Sequence, residues 1–171
     1  MSKGERQRGR ESVELYLVRH AHAGDTASWR GNDDERPLSP KGERQAAAMA
    51  RFLSRIGLKP TALLTSPRLR ATQTAAPIGK ALHMDVHQEP LLAAGLDLAD
   101  LEQILSAAGD PPSLLLVGHD PDFSELAREL TGAGELPLPK GSLARIDVVR
   151  PLAPGRGVLR WLVPPDLLPD D

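Results

Sequence analysis

The chain has 171 residues, 40% of them hydrophobic and 26% charged, which suits one globular domain long enough to bury a core. Its net charge of -2 gives no support for a nucleic-acid or membrane surface, so neither is expected as a partner. The absence of cysteine removes disulfides, thiol catalysis and Cys-based metal sites.

Residues 1–12 are polar and basic and read as a disordered tail, with no hydrophobic stretch of signal length behind them. The longest apolar run, Leu114 to Val117, is far too short to span a bilayer. A single domain over 13–168, in a soluble cytoplasmic protein, is the expectation. Its first strand is predicted from Glu14 to Arg19, apolar enough for a strand covered on both faces. A polar loop follows from His22 to Arg36, with Asp33, Asp34 and Glu35 read as solvated.

Ser39 and Pro40 open the first helix as cap and first-turn proline, and Gly57 ends it. Within it, Ala46, Met49, Ala50, Leu53 and Ile56 recur at helical spacing and define a buried stripe. A second strand spans about Ala62 to Thr65. Ser66 and Pro67 then read as cap and first-turn proline of a helix from Arg68 to Leu82, kinked or broken at Pro77. A short strand near Met84 to His87, a helix near Leu98 to Ala107, an apolar strand from Leu114 to Val117 and a helix from Asp122 to Leu130 complete the middle.

Toward the end Ala144, Ile146 and Val148, then Leu159, Trp161 and Val163, alternate with their neighbours around Pro154-Gly155-Arg156-Gly157. That pattern predicts an antiparallel hairpin at the sheet edge, followed by a surface tail from Pro164. Strands alternating with helices, plus the hairpin, imply a three-layer α/β/α sandwich with a mostly parallel sheet.

Three strand ends carry the polar chemistry. Arg19 and His20 follow the first strand, Arg68 and Arg70 the second, and His119 the strand ending at Val117. Right-handed crossovers put such ends on one side of a parallel sheet, where α/β proteins meet ligands. Two imidazoles and at least two guanidiniums in one crevice suit a phosphate, because arginine presents a permanently charged fork that matches phosphate oxygens. A neutral imidazole is also a nucleophile for phosphorus, giving a phosphohistidine that water hydrolyses. Taken alone, Arg19-His20 reads as an exposed strand end.

Four ordered motifs go further: Leu17-Val18-Arg19-His20-Ala21, Arg36-Pro37-Leu38-Ser39-Pro40-Lys41-Gly42, Ser66-Pro67-Arg68-Leu69-Arg70-Ala71-Thr72-Gln73-Thr74-Ala75 and Leu116-Val117-Gly118-His119-Asp120-Pro121. From about Leu15 to Leu168 the chain resembles the histidine phosphatase superfamily, and within it the compact SixA-type phosphohistidine phosphatases. The resemblance implies a phosphoglycerate mutase-like fold. It makes His20 the nucleophile, His119 the second pocket histidine, and Arg19 and Arg70 the phosphate clamp. Ala21 stands where the broader superfamily has glycine, as is common in the SixA-type branch. Asp120, directly after the second histidine, is a candidate general acid, and Glu89 a remoter one.

The reading is therefore a phosphatase that needs no metal or cofactor and acts through a phosphohistidine on His20. The stretch from Arg70 to His119 leaves little room for a cap, so an open crevice is expected to admit a phosphohistidine displayed on a signalling protein. The rivals are a broad small-molecule phosphomonoesterase on the same site and a non-catalytic phosphate-docking module. A phosphoglycerate mutase role fits less well, because a mutase must hold its intermediate in a closed pocket. His22, with no acidic cluster around it, is not assigned to a metal; His83 and His87 are surface residues, and Trp161 is core or half-buried packing.

Overall fold

The computed structural model describes residues 12–170. The expected tail therefore lies outside the described residues, apart from Ser12, which opens the first strand. The strands are β1 (Ser12–Arg19), β2 (Ala62–Thr65), β3 (His87–Gln88), β4 (Ser113–Gly118), β5 (Leu143–Val149) and β6 (Val158–Val163). The helices are α1 (Pro40–Arg55), α2 (Leu69–Leu82), α3 (Leu98–Ala107) and α4 (Asp122–Thr131).

One sheet of order β3-β2-β4-β1-β5-β6 holds all six strands. β3, β2, β4 and β1 are mutually parallel, while β5 runs antiparallel to β1 and β6 antiparallel to β5. The alternation along β1 sorts its side chains into two layers, as the period of two requires. Val13, Leu15 and Leu17 pack with Leu101, Ile104 and Leu105 of α3 and with Phe123, Leu126 and Leu130 of α4. Tyr16 and Val18 pack with Met49 and Leu53 of α1 and with Ala71, Ala75 and Ile78 of α2. The architecture is thus the expected three-layer α/β/α sandwich with an antiparallel edge hairpin. Among the described residues no helix is long and apolar enough to cross a membrane.

Local departures have local causes. α2 runs unbroken through Pro77, because Ala71, Thr74, Ala75, Ile78 and Gly79 on its buried face hold it in place. Ile56, expected in the buried stripe of α1, is 47% exposed, since it caps the helix where the chain turns out at Gly57. The short strand lies at His87–Gln88, slightly later than predicted. The terminal segment is not all surface: Leu168 is buried against the α1/α2 layer. Trp161 is half-buried, its ring centroid 6.0 Å from that of Tyr16, and His83 and His87 are exposed.

Candidate active site

The three chemically rich strand ends are stitched together through the backbone. His20 N–H donates to the Gly118 carbonyl at 2.9 Å, joining the ends of β1 and β4. Ser66 N–H donates to the Val117 carbonyl at 2.9 Å, joining the ends of β2 and β4. A turn entering β5 closes the fourth side, where Gly141 N–H donates to the Arg19 and His20 carbonyls at 3.2 and 3.0 Å. Gly141 takes a φ of +77°, which glycine adopts without strain. Thr74 of α2 adds a strut: its hydroxyl accepts from Ala21 N–H at 3.0 Å and donates to the Arg70 carbonyl at 2.7 Å.

Within this frame the His20 and His119 rings sit 5.1 Å apart, centroid to centroid, tilted by 54°. Each residue is 5% exposed. His20 Nδ1 lies 2.8 Å from the Ala21 carbonyl. A carbonyl only accepts, so Nδ1 carries the proton and the lone pair resides on Nε2. Burial pushes the His20 imidazole down to about 3, and the charges of Arg70, Arg19 and Lys140 push the same way against the lifting effect of Ala21. His119 is likewise lowered to about 3, first by burial, then by His20, Arg70 and Arg68. Both rings are neutral near pH 7.

Arg19 and Arg70 are held by their outer nitrogens. Arg19 NH1 donates to the Leu138 carbonyl at 2.7 Å and lies 3.5 Å from Asp120 Oδ2. Arg70, 4% exposed, donates to the Asp33 carbonyl at 2.7 Å and to its carboxylate at 3.1 Å. Arg36 Nε grips the same Asp33 carboxylate at 2.9 Å, and Arg68 Nε lies 3.0 Å from Asp34. Asp33 and Asp34 are therefore not the merely solvated residues expected. They sit in a 3₁₀ turn, Asp33–Glu35, that brackets the arginines. The Arg36 contact, with the field of Arg70, holds the Asp33 carboxyl below the usual carboxylate range.

Among the described residues, the buried side-chain polar atoms with no hydrogen-bond partner are Nε of Arg19, Arg68 and Arg70, Nδ1 of His119 and Oγ of Ser142. All five belong to the strand ends and turn just described. Buried polar groups are paired almost everywhere in folded proteins, so orphans gathered in one place point to a polar ligand. Arg68 Nε is the least free of them, given its ion pair with Asp34.

The remaining candidates lie differently. Asp120 Oδ1 accepts from Ser124 N–H at 3.1 Å and Oδ2 accepts from the Ser124 hydroxyl. Glu89 is occupied by Leu91 N–H at 2.9 Å and starts a 3₁₀ turn. His22 Nδ1 is bonded to Ser39 Oγ at 2.6 Å. Three contributors went unforeseen: Asp33, Ser66 as a side chain of the site, and Lys140. Lys140 is half-buried, and that burial, with the field of Arg19, Arg36 and Arg70, lowers its pKa. A lysine next to a turn glycine carries no motif signal; only the fold brings it near Arg19 and Arg70.

The model of the histidine phosphatase superfamily (branch 1) matches residues 15–106. An uncharacterized protein of Picosynechococcus sp. is 42% identical over 123 residues, covering 69% of this chain and 73% of that protein. An 8-oxo-(d)GTP phosphatase of Mycolicibacterium smegmatis is 35% identical over 101 residues, covering 57% of this chain but 31% of that protein. Among solved structures, the protein histidine phosphatase SixA complexed with tungstate superposes with a TM-score of 0.79 at 25% identity, over 91% of this chain and 99% of that one. The chain belongs to the histidine phosphatase superfamily, branch 1.

Proposed function

We propose that this phosphatase transfers a phosphoryl group to Nε2 of His20 and then to water, and that its substrates are phosphohistidines displayed on proteins. The observation that carries the first part is the cluster of unpaired buried nitrogens on Arg19, Arg70 and His119 beside a histidine whose Nδ1 proton is held by Ala21, leaving the lone pair on Nε2. Each charge-assisted hydrogen bond to a phosphoryl oxygen contributes roughly 1.5–3 kcal/mol net. Because the arginines are already fixed by Leu138 and Asp33, they need little reorganisation as charge shifts in the transition state.

In the first step the Nε2–P bond forms while the substrate's P–N bond breaks; the electron pair leaves with the departing nitrogen, and because the other nitrogen of the substrate ring already carries a proton, the imidazole departs neutral. His20 then carries a positive charge beside the Ala21 carbonyl, which keeps hold of the Nδ1 proton. In the second step water attacks phosphorus, the Nε2–P bond breaks, and inorganic phosphate leaves with a neutral His20. Positive charge comes from Arg19, Arg70 and Lys140, so no step is routed through a metal. Asp120 serves best as an anchor for Arg19. Its two oxygens also accept from Ser124, which fixes the carboxylate beside Arg19.

The substrate class is supported by the likeness to SixA over 91% of this chain and by the short connection between α2 and β4, which carries only β3, a 3₁₀ turn and α3. The test compares kcat/KM for a phosphohistidine protein with values for sugar and nucleotide phosphates. A preference of at least roughly 100-fold for the protein substrate is expected, a discrimination of about 2.7 kcal/mol. Equal or reversed preference would instead select a small-molecule phosphomonoesterase.

A further inference from the structure

We infer that Ser66 is a positioning residue which fixes His119 as a neutral hydrogen-bond donor through Nδ1. This rests on the phosphatase reading above and assigns a role to a side chain that the sequence marked only as a helix cap. Ser66 is not that cap: α2 begins at Leu69, with Arg68 at the N-cap and no side-chain cap bond. The Ser66 hydroxyl is fully buried and makes two contacts. It accepts from Arg68 N–H at 3.2 Å and lies 2.7 Å from His119 Nε2.

A hydroxyl has one hydrogen to donate, and Arg68 N–H takes an acceptor position. Oγ keeps a second acceptor position, but among the described residues its hydrogen has no acceptor other than His119 Nε2; pairing that buried hydrogen therefore makes the hydroxyl the donor and Nε2 the lone pair. The proton of the neutral ring is thereby placed on Nδ1, the buried nitrogen that has no partner in the protein. An N–H with no internal acceptor is suited to a phosphoryl oxygen. In the opposite tautomer a bare Nδ1 lone pair would repel that oxygen. The choice between attraction and repulsion is made by one serine hydroxyl.

The backbone supports this geometry independently of the side chains. Ser66 N–H is tied to Val117 O, one residue before Gly118, and Phe123 N–H to His119 O at 3.0 Å. Gly118 has no room for a Cβ, which would lie 2.6 Å from the Phe123 ring. His119 is thus set at a fixed height opposite Ser66, and what remains to be decided is its proton.

The test is long-range ¹H–¹⁵N correlation spectroscopy on the substrate-free protein at pH 7, with His119 assigned through His119→Gln. The expected spectrum shows a protonated Nδ1 and a bare Nε2. In Ser66→Ala the ring should populate the Nε2-protonated form, with kcat for a phosphorylated substrate falling roughly 10–100-fold, the worth of one hydrogen bond to a charged group. Ser66→Thr, which keeps the hydroxyl, should retain the wild-type tautomer. A protonated Nε2 in the wild type, or an unchanged tautomer in a folded Ser66→Ala, would overturn the inference. Because the tautomer is read without substrate, failure of the phosphatase reading would show separately, as absent turnover by wild-type protein.

Discussion

Two buried histidines that stay neutral make the fold acid-sensitive in a calculable way. His20 and His119 each fall from an ordinary value of 6.5 to about 3 in the folded chain, chiefly through burial. For a depressed histidine, the unfolded chain binds protons first as pH drops, so stability present above pH 6.5 is lost on the way down to the folded value. Between pH 7 and 5 the loss is about 2 kcal/mol per histidine, or about 4 kcal/mol for both, against a typical total of roughly 5–15 kcal/mol. The measurement is urea unfolding at pH 7 and pH 5 for wild type, His119→Gln and His20→Gln. Each glutamine variant should shed about 2 kcal/mol of the pH-dependent loss, whatever its stability at pH 7. Phosphate bound at the pocket favours the imidazolium and should reduce the acid sensitivity of the wild type. If the variants show the same pH dependence as wild type, the two rings are not neutral and buried as described.

Other perturbations test separate parts. Arg70→Ala should lower kcat/KM by roughly 10²–10⁴-fold, the worth of two charge-assisted bonds. Arg70→Lys should recover little, because an ammonium cannot hold Asp33 and present a further donor in the same plane; full activity of the lysine variant would contradict the clamp. Asp120→Asn should change kcat on phosphohistidine by less than roughly threefold while raising KM, whereas loss of a general acid would cost about 10²–10⁴ in kcat. A Cβ on Gly42 would lie 1.9 Å from the His22 carbonyl. Gly42→Ala should therefore cost about 1–3 kcal/mol in thermal or urea unfolding, as overpacking does; an unchanged melting temperature would show that the His22 loop yields freely.

The strand ends were legible because chemistry and pattern coincide there. Leu15 to Val18 and Leu114 to Val117 are apolar runs that stop at charged or titratable residues, and the fold puts Arg19, His20, Arg70 and His119 at one end of the central strands. What escaped was the second layer of contacts. Asp33 sits in a polar loop 37 residues from Arg70, and nothing in its neighbourhood says which arginine it will grip. Ser66 has the position and chemistry of a helix cap, so its contact across 53 residues with His119 was hidden behind a sound local reading. Pro77 misled in the other direction: propensity argues for a break, but the packing of α2 on α1 and the sheet outweighs one missing hydrogen bond.

The central claim is a covalent phosphoryl group on His20 Nε2. Rapid acid-free quenching during turnover of a ³²P-labelled phosphohistidine protein, followed by peptide mapping, tests it directly. The account predicts an acid-labile, alkali-stable label on the peptide containing His20, with no label and no turnover in His20→Ala. Label on another residue, or undiminished turnover in His20→Ala, would contradict it.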